Sequence, residues 1–374
     1  MTYNWRQTMI VSAIAAGLSF LNPSPLPTTL GPLAQRINLN LGAAVDSGTV
    51  HWAPDRTSYQ QAILNNCTMI EPENDLKPPS LWQGVGQYSF DNADYLVNWA
   101  VSNKLKVRGH VLVYARDDGY TIPGWLLAME DSITTDQARQ MLRDYIYTVV
   151  GRYKGKIFAW DVMNEAIDDH PNGNPFNLRN SFWFRKLGRA FVLDAFRYAR
   201  LADPECKLYY NEYNVESGGW KADSMLGMLA YLRARRVRVD GVGLQFHRGV
   251  GDQPNPGDGY YSMLTRIRAN GLSFMITELD ISVPVFNYPQ GDPNFGIIPV
   301  NSNDLQVQAT NYRAYFKMAL SYPNCMGIQT WGETDAHSWI PWFSGGNRGA
   351  ALLLDGSYNN KPAIEAVANE LRLH

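Results

Sequence analysis

The chain is built on a repeating unit in which a short apolar segment, a loop and a longer helical pattern follow one another. Eight apolar segments occur, at 37–45, 67–74, 106–113, 156–165, 206–214, 239–247, 272–280 and 326–335. Helices are predicted after them, near 55–65, 91–103, 133–152, 180–202, 220–236, 260–270, 303–321 and 361–371. Strands that alternate with helices form parallel βαβ units, and eight units fit a closed barrel better than an open sheet. The sequence therefore predicts an α/β fold, a single (β/α)8 TIM barrel.

The N-terminus does not follow this pattern. An apolar stretch from Met9 to Leu21 precedes the Pro-rich sequence NPSPLP. The stretch is too short to span a bilayer and is typical of the apolar part of a signal peptide. We interpret residues 1–30 as a signal peptide with a Pro-rich linker and 31–374 as the catalytic domain, so the protein is expected to be secreted or periplasmic. The alternative is an N-terminal helix that packs on the domain.

Composition limits the classes of partner. The formal net charge is -2 and the pI is near 6.3, so nucleic acid and anionic membranes gain no electrostatic support. The 11 Trp and 21 Tyr residues are typical of a sugar cleft, in which a ring face lies against a pyranose, although core packing is the alternative for about half of the Trp residues. Cys67, Cys206 and Cys325 have no zinc-like spacing and allow at most one disulfide.

Polar residues recur at or just after the C-terminal ends of seven of the eight segments. They are Glu73, Asn74, His110, Asn164, Glu165, Asn211, Glu212, Gln245, His247, Glu278, Asp280 and the run 331–335. The C-terminal ends of barrel strands converge on one mouth, which is where the active sites of such barrels lie. A single strand-end acid is usually a buried group that its neighbours satisfy. The recurrence instead favours a functional site.

Two glutamates in this set suggest a reaction. Glu165 ends the fourth segment and Glu278 lies in the seventh, across the barrel, so both can face one ligand. Cleavage of a glycosidic bond needs an acid at the leaving oxygen and a carboxylate facing the anomeric carbon, ~5–5.5 Å apart in retaining enzymes and ~6.5–9.5 Å apart in inverting ones. We assign Glu165 as the acid, with Asn164 binding a sugar hydroxyl. His247 is expected to orient Glu278, and Asp280 to fix the tautomer of His247.

The sequences WDVMNEA (160–166) and TELD (277–280) resemble the acid/base and nucleophile motifs of glycoside hydrolase family 10, the retaining endo-β-1,4-xylanases. The similarity continues in ENDLK (73–77), RGHVLV (108–113), GLQFH (243–247), LRNSFW (178–183) and WGETDAHSWIP (331–341). The resemblance implies a single TIM barrel that cleaves internal β-1,4-xylosidic bonds of xylan by double displacement. It implies no cofactor and no metal, and we expect a monomer whose partner is the polysaccharide substrate.

The same resemblance implies roles for individual residues. Glu165 is the acid/base and Glu278 the nucleophile. Catalytic support is implied for Asn164, Gln245, His247 and Asp280. Substrate binding is implied for Glu73, Asn74, Lys77, His110, Tyr114, Asp117, Asn211, Trp331 and Trp339.

One segment departs from the family. Where the family usually reads HTLVWHSQ, this chain reads HVLVYARD (110–117), so Tyr114 replaces Trp, Ala115 replaces His and Asp117 replaces Gln. We expect a reshaped pocket and an added negative charge at Asp117. Two alternatives to a xylanase therefore remain: a relative that acts on another β-linked glycoside, and a barrel that binds polysaccharide without turnover.

Overall fold

The computed structural model describes residues 28–285 and 300–374. Most of the predicted signal peptide, 1–27, lies outside the described residues. The chain is already packed at Leu30, which is buried and whose backbone N–H donates to Asn66 Oδ1 at 3.1 Å. A short helix, Gly31–Arg36, follows.

Eight parallel strands close into a barrel, which confirms the predicted fold. They are β1 (Asn40–Val45), β2 (Met69–Pro72), β3 (Lys106–Gly109), β4 (Ile157–Asn164), β5 (Lys207–Glu212), β6 (Gly241–Leu244), β7 (Ser273–Pro284) and β8 (Cys325–Thr330). Each strand pairs with the next along the chain. The barrel closes where β8 pairs with β1, with Gly327 opposite Asn40.

A helix follows each strand. The helices are α1 (Arg56–Asn66), α2 (Asp91–Ser102), α3 (Thr135–Arg152), α4 (Ala190–Ala202), α5 (Trp220–Ala234), α6 (Gly259–Ala269), α7 (Ser302–Leu320) and α8 (Pro362–Leu371). The prediction of one helix over 180–202 is wrong. Phe182–Leu187 forms a separate helix, which ends at Gly188 with φ 56°, a left-handed conformation that favours glycine and stops a helix.

Short elements occupy the connections. Further helices are Ser47–His51, Pro78–Leu81, Gly124–Ala128 and Ile340–Phe343, with 3₁₀ turns at Glu130–Ser132, Pro175–Asn177 and Asp335–His337. Trp82–Gly84 and Gln87–Tyr88 form a hairpin, and Val113–Tyr114 extends the sheet beside β4. The end of β7 pairs with His247–Gly249 on one side and Arg348–Gly349 on the other. This pairing sets His247 opposite Asp280.

The helices pack through apolar faces onto the sheet. In α3, Leu142, Ile146 and Val149 recur at helical spacing, and all three are buried. Burying each such side chain contributes about 1.5–3 kcal/mol. Thr134 starts this helix with a capping box that includes Gln137.

A buried ionic cluster lies on three neighbouring strands. Arg108 on β3 contacts Glu71 on β2 and Asp161 on β4, and all three side chains are fully buried. The one guanidinium pairs with both carboxylates, and His110 Nδ1 lies 2.9 Å from Asp161, so each buried charge has a partner, as buried charges require. Among residues 28–285 and 300–374, no helix is both long and apolar enough to cross a membrane.

Candidate active site

A cleft of about 750 Å³ opens where the C-terminal ends of the strands converge. Twelve of the residues predicted to form the site line it: Glu73, Asn74, Lys77, His110, Tyr114, Asn164, Glu165, Gln245, His247, Glu278, Trp331 and Trp339. Asn211 and Asp280 do not line the cleft, but they contact Glu278 and His247, which do.

Glu165 lies immediately after β4. Its backbone adopts φ 51°, an uncommon left-handed conformation for a residue other than glycine. Two backbone contacts hold this turn, because the N–H of Glu165 donates to the Asn211 carbonyl at 3.1 Å and its carbonyl accepts from Arg179 Nε at 2.9 Å. The turn directs the carboxylate into the cleft, where Oε1 accepts from the Tyr114 hydroxyl at 2.7 Å.

Two further donors reach the Glu165 carboxylate. Gln245 Nε2 lies 3.1 Å from Oε1, and Arg116 Nη1 lies 3.1 Å from Oε2. Partial burial lowers the pKa of Arg116, but the charge of Glu165 and its hydrogen bond outweigh that effect and raise it. Arg116 was not among the residues predicted from the motifs. Its position in the divergent segment, as a basic residue between Ala115 and Asp117, could have identified it.

Glu278 is held by an amide and an imidazole. Asn211 Nδ2 donates to Oε1 at 2.7 Å, and His247 Nε2 lies 3.0 Å from Oε2. Burial raises the pKa of Glu278, but the hydrogen bond and charge of His247, the charge of His110 and the hydrogen bond from Asn211 together lower it below its usual value. The carboxylate is therefore ionised at neutral pH, which is the form that can attack an anomeric carbon.

His247 is a cation in this setting. Its Nδ1 lies 2.8 Å from Asp280 Oδ2, which also accepts from Trp339 Nε1 at 3.0 Å. Burial lowers the pKa of His247, but Asp280 and Glu278 outweigh it and raise the pKa to about 10. Asp280 was expected to select a tautomer of His247. Its contact with Nδ1 keeps a proton on that nitrogen, and its charge also favours the doubly protonated imidazolium.

Side-chain amides connect the two glutamates. Asn164 Oδ1 accepts from Asn211 Nδ2 at 3.0 Å and from Gln245 Nε2 at 3.4 Å. Asn211 also contacts Glu278, and Gln245 also contacts Glu165. The two carboxylates therefore share one hydrogen-bonded layer, which fixes their relative position.

His110 lies at the floor of the cleft. Burial lowers its pKa, but a hydrogen bond from Nδ1 to Asp161 at 2.9 Å and the charge of Glu71 raise it overall. Glu71, His110 and Asp161 present ligand atoms within 4.8 Å of one another, the closest approach to a metal site among the described residues. Arg108 contacts both acids and already supplies the positive charge there.

The two rims of the cleft differ. On one side Lys77 Nζ donates to Asn74 Oδ1 at 2.8 Å. The other side is aromatic: beside Trp339, Trp342 is 63% exposed and Phe343 is 67% exposed. Trp342 and Phe343 were missed, although they lie within four residues of Trp339 in the segment WIPWF. Further lining residues that were missed are Tyr120, Tyr213, Asn214, Glu216 and Arg248.

The structure does not bring Asp117 to the cleft. Its carboxylate accepts from the Phe182 backbone N–H at 2.8 Å and pairs with Arg185 Nη1 at 2.7 Å. Asp117 thus holds the start of the helix Phe182–Leu187, and its charge is compensated by Arg185. The expected added negative charge does not face the cleft.

Two strand-end acids from the sequence pattern are also structural. Glu212 accepts from the Tyr210 hydroxyl at 2.7 Å and pairs with Lys221 at 3.1 Å. Asp335 pairs with Lys361 at 2.9 Å. Neither acid lines the cleft, so position at a strand end alone does not separate functional from structural acids.

Comparisons with known sequences agree on one family. The model of glycosyl hydrolase family 10 matches residues 30–370. Endo-1,4-beta-xylanase B of Thermotoga neapolitana is 32% identical over 339 residues, which cover 90% of this chain and 89% of that protein. Endo-1,4-beta-xylanase A of Phanerodontia chrysosporium is 35% identical over 334 residues, which cover 88% of this chain and 74% of that protein.

Solved structures give the same result. Native xylanase 10B from Thermotoga maritima matches with a TM-score of 0.82 and 31% identity, over 92% of this chain and 98% of that one. Xylanase 10B from Thermotoga petrophila RKU-1, solved in complex with xylobiose, matches with the same TM-score of 0.82, 31% identity and coverage of 92% and 98%. By family model, relatives and fold, the chain belongs to glycosyl hydrolase family 10.

Proposed function

We propose that the protein is a retaining endo-β-1,4-xylanase that uses Glu278 as nucleophile and Glu165 as acid/base. One observation carries this assignment. Glu165 and Glu278 open into the same cleft and are tied together by shared amides, while His247 keeps Glu278 ionised. The family membership and the similarity to enzymes named endo-1,4-beta-xylanase support xylan as the substrate.

The first step breaks the glycosidic bond. Glu165 gives its proton to the glycosidic oxygen as the bond from that oxygen to the anomeric carbon breaks. A carboxylate oxygen of Glu278 forms a bond to the same carbon, which yields a covalent glycosyl-enzyme and a free leaving sugar. Asn211 and His247 donate to Glu278 and orient it for this attack.

The second step releases the glycosyl group. Glu165, now a carboxylate, takes a proton from a water molecule, whose oxygen attacks the anomeric carbon from the side that the leaving sugar vacated. The bond to Glu278 breaks, and Glu165 is again protonated. Tyr114 and Gln245 contact the Glu165 side chain and hold it in place.

Replacement of the nucleophile tests the assignment directly. Glu278→Ala should abolish hydrolysis of every glycoside. In the wild-type enzyme, proton NMR during early turnover should show the β-anomer of the product, because two inversions retain configuration. Hydrolysis by Glu278→Ala at wild-type rate, or initial release of the α-anomer, would reject double displacement at Glu278.

The acid role of Glu165 has a separate signature. Glu165→Ala should slow xylan hydrolysis by about 10²–10⁴-fold, because the leaving sugar oxygen needs protonation. With aryl glycosides whose phenol is acidic, Glu165→Ala should form the glycosyl-enzyme at close to the wild-type rate, because such a phenol leaves without protonation. Equal losses on both kinds of substrate in pre-steady-state measurements would contradict the assignment.

A second candidate is a relative with another preferred β-linked glycoside. Its ground is the divergent segment, whose Tyr114 and Arg116 contact Glu165, whereas the relatives are named as xylanases. Product analysis on β-1,4-xylan, mixed-linkage glucan and aryl glycosides would decide between the two, because a higher kcat/KM on glucan would favour this candidate.

Residues 1–30 are proposed to be a signal peptide that exports the protein, which would then be secreted or periplasmic. The protein is separately proposed to act as a monomer. Mass spectrometry of the N-terminus after secretion, together with size-exclusion chromatography, tests both points. An uncleaved N-terminus in the cytosol or a stable dimer would contradict them.

A further inference from the structure

A stack of three aromatic rings lies on the surface near the loop that follows β1. Trp52 is 72% exposed, although it is a large apolar side chain. Its ring stacks on His51 with centroids 3.8 Å apart, and His51 stacks on Tyr95 of α2 with centroids 3.9 Å apart. The indole is therefore supported from one side while most of its surface faces solvent.

The element that carries Trp52 is firmly held. Asp46 caps the helix Ser47–His51 by accepting from the Thr49 backbone N–H at 3.1 Å. Ser47 donates to Asp75 through its backbone N–H at 2.9 Å and through its hydroxyl at 2.7 Å. The backbone N–H of Trp52 itself continues the helical pattern to Gly48 at 2.8 Å. The aromatic surface is thus fixed in place before any ligand arrives.

This surface lies close in the chain to a recess that adjoins the cleft. A polar recess of about 300 Å³ is lined by residues that include Asp46, Thr49, Glu73 and Asn74. Glu73 and Asn74 also line the main cleft, so the recess extends it toward β1. Trp52 follows Thr49 by three residues, and residues at this spacing share a face of a helix. Trp52 therefore lies one helical turn beyond a residue that lines the recess.

We propose that Trp52, supported by His51 and Tyr95, is an outer binding platform for the same β-glycan chain whose reacting bond lies between Glu165 and Glu278. The flat indole suits the C–H face of a pyranose, and the fixed stack costs little ordering on binding. This inference rests on the proposed function, because it takes the glycan in the cleft as the occupant.

Kinetics on long and short substrates test the platform. In Trp52→Ala, the KM for polymeric xylan relative to that for an aryl xylobioside should rise about three- to tenfold, the loss expected for one aromatic stacking contact. Trp52→Phe keeps a flat ring and should recover most of this ratio. Because Trp52 is mostly exposed, both variants should keep the wild-type Tm.

Tyr147→Ala is the matched control. Tyr147 lies on the outer helix α3 and is 40% exposed, so its removal also deletes a surface aromatic side chain. The KM ratio should not change in this variant. An unchanged ratio in Trp52→Ala, or an equal rise in Tyr147→Ala, would overturn the proposal.

Binding without turnover separates this proposal from the proposed function. Affinity electrophoresis in gels with xylan or mixed-linkage glucan would compare Glu278→Gln with Glu278→Gln/Trp52→Ala. Weaker retention of the double variant supports the platform, and equal retention in both gels rejects it. If the platform effect occurs only with glucan and the wild-type enzyme releases nothing from xylan, the platform stands while the xylanase assignment fails.

Discussion

The imidazolium of His247 is the residue on which the ionisation of Glu278 depends. His247 contacts Glu278 at 3.0 Å and Asp280 at 2.8 Å, so one cation lies between two carboxylates. Its pKa of about 10 keeps it charged across the neutral range. Without that charge, burial would be opposed chiefly by His110 and Asn211, so the pKa of Glu278 would rise.

We therefore expect His247→Asn to shift the acid limb of kcat/KM to higher pH. Loss of an opposite charge in contact raises a carboxylate pKa by about one unit or more. The measurement is the pH profile on an activated aryl glycoside, which reduces the need for acid assistance. An acid limb at the wild-type position would show that His247 does not control Glu278.

A second residue-scale prediction concerns Glu333, which is buried and has no cation in contact among the described residues. Burial raises its pKa from the usual 4.5 to about 8, although hydrogen bonds from Asn66 and Cys67 oppose this. The folded protein thus keeps a proton that the unfolded chain releases above pH 4.5. Stability should fall as pH rises through this window.

Glu333→Gln removes that titration while keeping the shape of the side chain and the contact with Asn66. The variant should be more stable than wild type by about 4 kcal/mol at pH 8 and nearly equal to it at pH 4. Urea unfolding at both pH values measures the difference. The same difference at both would argue against a buried neutral carboxyl.

At the scale of elements, the segment 114–117 shows why motif comparison gave only part of the site. Tyr114 and Arg116 reach Glu165, whereas Ala115 is buried and Asp117 holds a neighbouring helix. Sequence gave the order of the residues but not the direction of their side chains. The helix break at Gly188 was missed for a different reason: the apolar pattern continues on both sides of the glycine.

This difference changes the expected effect of restoring the family residues. Ala115→His must insert a ring at a site that is 1% exposed, and such overpacking costs about 1–3 kcal/mol. Asp117→Gln loses the Arg185 ion pair, whereas Tyr114→Trp changes the cleft wall and removes the hydroxyl that donates to Glu165. Substrate preference should therefore respond to Tyr114→Trp alone, as measured by the ratio of kcat/KM on xylan and glucan.

Measuring each single variant separates effects on stability from effects on substrate preference. Thermal unfolding should show a lower Tm for Ala115→His and a smaller decrease for Asp117→Gln. If Asp117→Gln changes the xylan-to-glucan ratio while Tyr114→Trp does not, the assignment of these side chains is wrong.

At the scale of the whole molecule, the eight-unit pattern predicted the barrel and placed Glu165 and Glu278 at its mouth. The pattern was informative because parallel strands are bounded by polar ends and separated by helices. It did not predict the buried cluster of Arg108, Glu71 and Asp161. These residues lie within strands rather than after them, and only three-dimensional neighbours show that their charges compensate one another.

Arg108→Met should therefore destabilise the whole barrel. The change removes the guanidinium that pairs with both Glu71 and Asp161 and leaves His110 as their one basic neighbour within the described part of the chain, and breaking such a cluster costs about 3–5 kcal/mol. Urea unfolding followed by circular dichroism measures the loss. A triple replacement of Arg108, Glu71 and Asp161 by apolar residues should recover much of it, and failure to recover would point to packing rather than charge.

The pairing of β8 with β1 has a consequence for how the protein is made. Asn40 Nδ2 donates to the Met326 carbonyl at 2.6 Å, so the last seam joins parts of the chain that are 286 residues apart. A growing polypeptide presents two open strand edges until this seam forms, and open edges invite association with other chains. Nascent copies should thus depend on chaperones until synthesis is nearly complete.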